Sequence, residues 1–254
     1  MRPLPDAFRP RAGRPAIIGH RGVRGPLPEN TMAAFEEAAR QGADAVELDV
    51  RLAASGEVVV LHDPDLVRVA GDPGRASELS FAALSRIDLG KGQRVPRLRD
   101  VLGWAERAHL GVNVEIKHDV PSRVAVARAV AAELAGFPRV EVVVSSFEPW
   151  ILALHRALAP GLAHAEIIHE STYHDVAFRL ARGMRFDGVH VERSIATRAR
   201  IGPFVRDRFA ATWTVNEPAE ARRLASLGVS GLITDSPGRI AEALAVGDDS
   251  GPRR

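Results

Sequence analysis

The sequence predicts a closed (β/α)8 barrel of the TIM type, on three observations. Eight short apolar runs of strand character alternate strictly with eight helical patterns. Such alternation implies a parallel sheet covered by helices. Eight units within a chain of 254 residues, enough for one sizeable core, favour closure over an open doubly wound sheet. The barrel is expected to occupy 15–246 as a single catalytic domain, between a disordered basic arm (1–14) and a disordered tail (247–254).

The elements follow in order. AIIGH (16–20) is the first strand. The helix after it runs over Thr31–Gln41; Asn30 or Thr31 can cap it, with Glu36 and Glu37 near its positive end. DAVELDV (44–50) is the second strand. EVVVLHDPDL (57–66), after the Ser55-Gly56 turn, then breaks the alternation. It reads as an extra strand opening a short insertion after the second strand region, expected near the top of the barrel. Alternation resumes with a helix over Arg97–His109, VNVEIK (112–117) and a helix over Pro121–Phe137. VEVVVSSF (140–147), Glu148–Ala159, LAHAEII (162–168) and Tyr173–Gly183 come next. FDGVHVE (186–192), Thr197–Arg208, AATWTV (210–215), Pro218–Leu227, SGLITD (230–235) and a helix from Pro237 to Ala245 complete the count. Pro121, Pro218 and Pro237 stand at or near helix starts, where a missing N–H is harmless. Gly42, Gly111 and Gly228 follow helices, where a left-handed residue is often required.

Composition excludes several classes. The chain has no cysteine, so disulfides, thiolate metal sites and a cysteine nucleophile are ruled out, and any metal must be held by oxygen or imidazole. Its net charge is +2, and Lys91 and Lys117 are its only lysines among many arginines. No basic run carries interleaved aromatics, so no nucleic-acid partner is expected. No stretch approaches the roughly 20 apolar residues of a membrane span, and the arm lacks a signal-like apolar core. A soluble, cytoplasmic protein is expected, with its oligomeric state unspecified.

The chemistry lies on the polar faces of apolar strands. Alternate side chains of a strand share a face. Glu47 and Asp49 therefore share one face of 45–50, with Val46, Leu48 and Val50 on the other. Asn113, Glu115 and Lys117 likewise oppose Val112, Val114 and Ile116. His20 ends the first strand and His62 follows the extra one. These are strand ends of the kind where barrel enzymes place their sites. An isolated pair of alternating acids commonly marks only a solvated face, and Glu115 with Lys117 also reads as a simple ion pair. If Glu47, Asp49 and Glu115 converge in a low-dielectric mouth, however, their repulsion calls for a cation. An all-oxygen set suits Mg²⁺ or Ca²⁺. His109, His118, His155, His164, His169 and His174 read as packing or surface residues. His190 shares a face with Glu192.

Taken together, GHRGVRGPLPENTMAAF (19–35), GADAVELDV (42–50), VVVLHDPDL (58–66), VPRLRDVL (95–102), NVEIK (113–117), TWTVNEP (212–218) and GVSGLITDSP (228–237) resemble the glycerophosphodiester phosphodiesterase family in order and spacing. The resemblance implies a TIM barrel that hydrolyses a small-molecule glycerophosphodiester to sn-glycerol 3-phosphate and an alcohol with one divalent cation, Mg²⁺ or Ca²⁺. It implies catalytic roles for His20 and His62, and metal ligation by Glu47, Asp49 and Glu115. Phosphate binding falls to Arg21 and Lys117, and substrate contact to Trp213 and Glu29. His20 is assigned as base and His62 as acid; the nucleophile is water or the neighbouring glycerol hydroxyl, the latter giving a cyclic phosphate first. Two departures bear on the substrate. The stretch after His62 is short and carries Arg68 and Arg75, and His190 stands where Asn or an apolar residue is commoner. A lysophospholipase D-like activity on lysophospholipids is the alternative; it would want an apolar rim, for which Phe81, Phe204 and Phe209 are candidates. A purely phosphate-ester-binding module would be expected to have lost a ligand or a histidine.

Overall fold

The computed structural model describes residues 2–245. Eight parallel strands close a barrel: β1 (Ala16–His20), β2 (Ala45–Leu52), β3 (Gly111–Ile116), β4 (Val142–Ser146), β5 (Ala163–Ile168), β6 (Gly188–Glu192), β7 (Phe209–Trp213) and β8 (Gly231–Thr234). Each pairs in parallel with the next, and β8 pairs with β1 to complete the ring. Outside lie α1 (Met32–Arg40), α2 (Leu98–Ala108), α3 (Arg123–Ala135), α4 (Pro149–Leu158), α5 (His174–Gly183), α6 (Arg198–Asp207), α7 (Pro218–Ser226) and α8 (Pro237–Ala245). The TIM barrel expected from the alternation is the observed fold. No helix among the described residues is long and apolar enough to cross a membrane.

Strand periodicity separates two cores. Val46, Leu48, Val50, Val112, Val114 and Ile116 face outward and join the large core beneath the helices. Ile18, Ala45, Val143, Ala163, Ala165, Phe209, Ala211 and Ile233 fill the barrel interior. The insertion after β2 begins with a strand, Val58–Val60, antiparallel to β2. It continues through short helices, Val67–Ala70 and Phe81–Leu84, and a hairpin of Asp65–Leu66 with Asp72–Arg75. Its own small core contains Leu61, Leu66, Leu84 and Val95.

Part of the arm packs on the barrel: a 3-10 turn at Asp6–Phe8 seats Ala7 and Phe8 in the barrel-interior core. Phe8 is 2% exposed, and Arg14 anchors the arm's end with a 2.7 Å bond to Asp44. Burying one aromatic ring against an open barrel floor outweighs the entropy that the surrounding prolines and arginines would favour. The arm explains Gly111 as well. The left-handed residue after α2 is His109 (φ 54°), while a Cβ on Gly111 would lie 2.7 Å from the Ala7 methyl. Gly42 and Gly228 do carry the expected positive φ. The tail lies outside the described residues.

His155 of α4 and His164 of β5 form a buried pair, Nδ1 to Nε2 2.9 Å. Burial, with His164 adding to it, pushes His155 down to about 3; burial, with Arg156 adding to it and the Leu162 backbone opposing, pushes His164 down to about 4. An imidazole whose folded pKa lies below its unfolded value costs nothing above about pH 6.5, and drains stability as pH falls from there to the folded value. At pH 5 the drain is roughly 2 kcal/mol for each ring. Glu166, pushed up to about 8 by burial and Glu148, acts in the opposite sense, gaining stability as pH falls. The useful reading is therefore a difference. A His155→Leu/His164→Leu double variant should gain stability relative to its parent steadily between pH 6.5 and pH 4 in thermal melts; parallel curves would refute the account.

Candidate active site

The sequence-predicted residues meet at the C-terminal end of the barrel. A cavity of about 260 Å³ is lined by His20, Arg21, Glu47, His62, Asn113, Glu115, Phe147, Ile167, His190, Trp213 and Ile233. Glu47 and Asp49 from β2 and Glu115 from β3 come together because the register aligns Asp49 with Glu115. One ligand oxygen from each lies within 4.8 Å of the other two. All three are buried.

Burial, Asp49 and Glu115 push the Glu47 carboxyl well above its usual range. Glu115 is pushed up to about 7 by burial and Asp49, against the pull of Lys117. Asp49 is held below the usual range: burial opposes ionisation, but Lys117 and Arg21 outweigh it. Lys117 Nζ stands 2.7 Å from Glu115 Oε1 and 3.3 Å from Asp49 Oδ1. One ammonium thus faces two acids, and Glu47 is offset only by Arg21, which does not outweigh its burial and its acidic neighbours. This buried, oxygen-only set with surplus negative charge suits a hard divalent cation.

Both histidines are mounted through Nδ1. His20 Nδ1 donates to Asp235 Oδ1 at 2.8 Å, and Asn216 Nδ2 holds the other Asp235 oxygen at 2.7 Å. His62 Nδ1 donates to Asp63 Oδ1 at 2.6 Å, and Arg68 Nε binds Asp63 Oδ2 at 2.6 Å. A carboxylate only accepts, so Nδ1 of each ring carries a proton and Nε2 is left as the atom that can take up or give one. The His62 carbonyl also accepts from Arg51, a buried guanidinium tied to Asp119. Burial lowers the His62 pKa, and Lys117 and Arg21 add to that shift against Asp49 and Asp63.

Arg21 adopts a left-handed backbone (φ 53°) that aims its N–H at Glu47 Oε2, 2.9 Å away. Its side chain reaches Asp49 (Nε–Oδ2 3.2 Å) and Glu29 (2.8 Å). Glu29 is not on the cavity wall; its carboxylate binds Arg21, Arg24 and Arg68 and ties the insertion to the loop after β1. Trp213 ends β7, donates Nε1–H to the His190 carbonyl at 3.1 Å and meets Phe147 edge-on at 5.7 Å. Asn30, the other residue weighed as a cap for α1, is left-handed, and Thr31 takes that place by accepting from Ala34. Asn30 instead donates to Asp49 Oδ2 at 2.8 Å.

Sequence reasoning missed Asp235, Asn216, Asn30 and Phe147. Asp235 and Asn216 fall inside the quoted blocks TDSP and TVNEP at strand ends, which was the available signal. Phe204 and Phe209 are buried in the two cores, and Phe81 lies under Arg97, 4.9 Å from its guanidinium carbon. None of them forms an apolar rim.

The family described as "Glycerophosphoryl diester phosphodiesterase family" matches residues 20–239. A glycerophosphodiester phosphodiesterase of Bacillus altitudinis is 30% identical over 238 residues, covering 88% of this chain and 95% of its own. A solved Silicibacter pomeroyi structure, provisionally named a glycerophosphoryl diester phosphodiesterase, is 26% identical with TM-score 0.86, covering 95% and 96% of the two chains. An Oleispira antarctica phosphodiesterase, solved in complex with the product sn-glycerol-3-phosphate, shares the fold at TM-score 0.82 and 24% identity, covering 91% and 97%.

Proposed function

The chain belongs to the glycerophosphoryl diester phosphodiesterase family, and we propose that it hydrolyses glycerophosphodiesters to sn-glycerol 3-phosphate and an alcohol, with one divalent cation, Mg²⁺ or Ca²⁺, held by Glu47, Asp49 and Glu115. The observation that carries this reading is the single cavity flanked by that acidic triad and two Nδ1-anchored imidazoles. Bound there, the cation would supply Lewis-acid stabilisation of phosphoryl charge.

The protein's own groups divide the remaining work. Arg21 offers a planar fork to the phosphate and Lys117 a compact charge, which lowers the barrier to attack on an anion. His20 acts as base: Asp235 fixes its tautomer, so Nε2 can take the proton of the attacking hydroxyl. His62 acts as acid. It is mounted beside the insertion, which is the side expected to receive the departing alcohol, and it gives a proton to the oxygen as the phosphorus–oxygen bond to that alcohol breaks. The protons balance with His20 starting as the neutral ring and ending as the imidazolium, and His62 starting as the imidazolium and ending as the neutral ring.

The test is product identity. With glycerophosphocholine or glycerophosphoethanolamine, phosphorus NMR should show glycerol 3-phosphate, lost on chelation and restored by Mg²⁺ or Ca²⁺. Release of phosphocholine and free glycerol would mean that the other ester bond is cut, and would overturn the reading.

A further inference from the structure

Arg51 is a buried cation that the catalytic reading leaves without a task. It is 4% exposed, and strand periodicity sets it in one row with Glu47 and Asp49, as the next residue of that face toward the mouth. It nevertheless stays off the wall of the active-site cavity and borders a separate cavity of about 240 Å³, together with Pro64, Arg75 and Asp119. A guanidinium is costly to bury unless it is paired and hydrogen-bonded. Here all three nitrogens are engaged. Nε and Nη2 donate to the His62 carbonyl at 3.0 Å and 2.6 Å. Nη1 donates to the Asp119 carbonyl at 3.0 Å, and Nη2 reaches both Asp119 carboxylate oxygens, at 2.7 Å and 2.9 Å.

These partners matter for what they carry. The His62 carbonyl belongs to the peptide that joins His62 to Asp63. That peptide is planar, so a fork closing on its oxygen fixes the direction of both flanking Cα atoms. From those two atoms hang the His62 ring and the Asp63 carboxylate that holds its Nδ1 at 2.6 Å. One residue earlier, the Leu61 N–H donates to the Asp49 carbonyl at 2.9 Å. β2 therefore grips the chain just before and just after the His62 Cα, through the Asp49 backbone and the Arg51 side chain. Asp119 closes the bridge from the loop after β3, two residues beyond Lys117. The guanidinium thus ties the histidine segment to the strand end that supplies the lysine.

Resting on the phosphodiesterase reading, we propose that Arg51, with Asp119 as its counter-ion, is a positioning residue for His62. It acts through the 62–63 peptide to hold the imidazole and its carboxylate mount toward the departing oxygen, and it touches neither substrate nor metal itself.

The experiment compares the parent with Arg51→Met and Asp119→Ala on glycerophosphoethanolamine and on a glycerophospho-nitrophenyl ester, whose leaving group needs no proton. A misplacement of about 1 Å can cost about 100-fold, so Arg51→Met should lose about 10- to 100-fold in kcat on the alkyl diester. On the nitrophenyl ester it should stay within about threefold of the parent, and its KM should be unchanged on both. Asp119→Ala should show the same pattern at about 3- to 10-fold. The Asp119 side chain is 44% exposed, so this variant keeps the test open if Arg51→Met does not fold. With His62→Ala already present, Arg51→Met should cost less than about twofold more, because residues that act as a unit are not additive. Equal losses on both esters would assign Arg51 to the fold alone and overturn the inference. Full activity of both variants on the alkyl diester, or a loss that multiplies with that of His62→Ala, would overturn it as well. Each of these results requires a parent that turns over both esters, and so leaves the phosphodiesterase reading standing. A parent that hydrolyses neither ester would refute that reading and the inference with it.

Discussion

Glu47→Gln should leave the metal-free protein at least as stable as its parent while lowering metal-dependent turnover by about 1,000-fold or more. The two effects have opposite signs because of where Glu47 stands. Burial and two neighbouring acids already disfavour its charge, so a neutral amide removes repulsion. The amide oxygen can still accept the Arg21 N–H that Glu47 Oε2 accepts now. A cation, in contrast, needs that charge. Losing several kcal/mol of phosphoryl stabilisation translates into at least three decades in rate, at about 1.4 kcal/mol per decade. Calorimetry separates the halves. Metal at about 100 times its dissociation constant should stabilise the parent by about 2.7 kcal/mol and the variant far less. A variant that keeps both the metal-induced shift and the rate would remove Glu47 from the ligand set. A variant that unfolds without metal would mean that Glu47 serves structure instead. Asp49 is a poorer probe: its charge is held by Lys117, Arg21 and Asn30, so removing it takes one partner from each of two buried cations and would disturb the fold as well as the metal.

The contrast between legible and hidden features follows from sequence distance. Glu47, Asp49 and Glu115 could be placed together because a strand's period of two fixes which side chains share a face, and because barrel strands end at one mouth. The partners of the histidines could not be placed this way. Asp235 reaches His20 only because β8 closes against β1, a contact between the two ends of the barrel that no local pattern encodes. Asn30 sat in a plausible cap position, and its removal to Asp49 depends on a left-handed backbone that the adjacent Thr31 makes affordable by capping the helix itself. Phe8 was hidden by its neighbours. Proline and arginine on both sides read as a solvated arm, while the tolerance for one buried ring depends on the shape of the barrel floor and on a glycine at position 111.

Removing either histidine should cost about 100- to 10,000-fold on a glycerophosphodiester, and the leaving group should tell the two apart. An alkoxide departs poorly unless it is protonated, whereas a nitrophenolate departs without help. With a glycerophospho-nitrophenyl ester, His62→Ala should therefore regain most of its lost rate, and His20→Ala should stay slow because the nucleophile still needs deprotonation. Rescue of His20→Ala alone would reverse the assigned roles. Rescue of both would leave no base among the two rings, and rescue of neither would leave no acid. The carboxylates behind the rings sharpen the reading. Asn at position 235 can present an N–H to the ring in place of an acceptor, which favours the tautomer with its proton on Nε2 and blocks a base there. Asp235→Asn should thus approach His20→Ala in rate on both esters, with its fold intact, since Asn216 can still bond to the remaining carbonyl oxygen. Asp63→Asn should instead follow His62→Ala, slow on the alkyl diester and nearly normal on the nitrophenyl ester. Two mounts of the same geometry in one cavity would then be separated by chemistry that neither shows by itself.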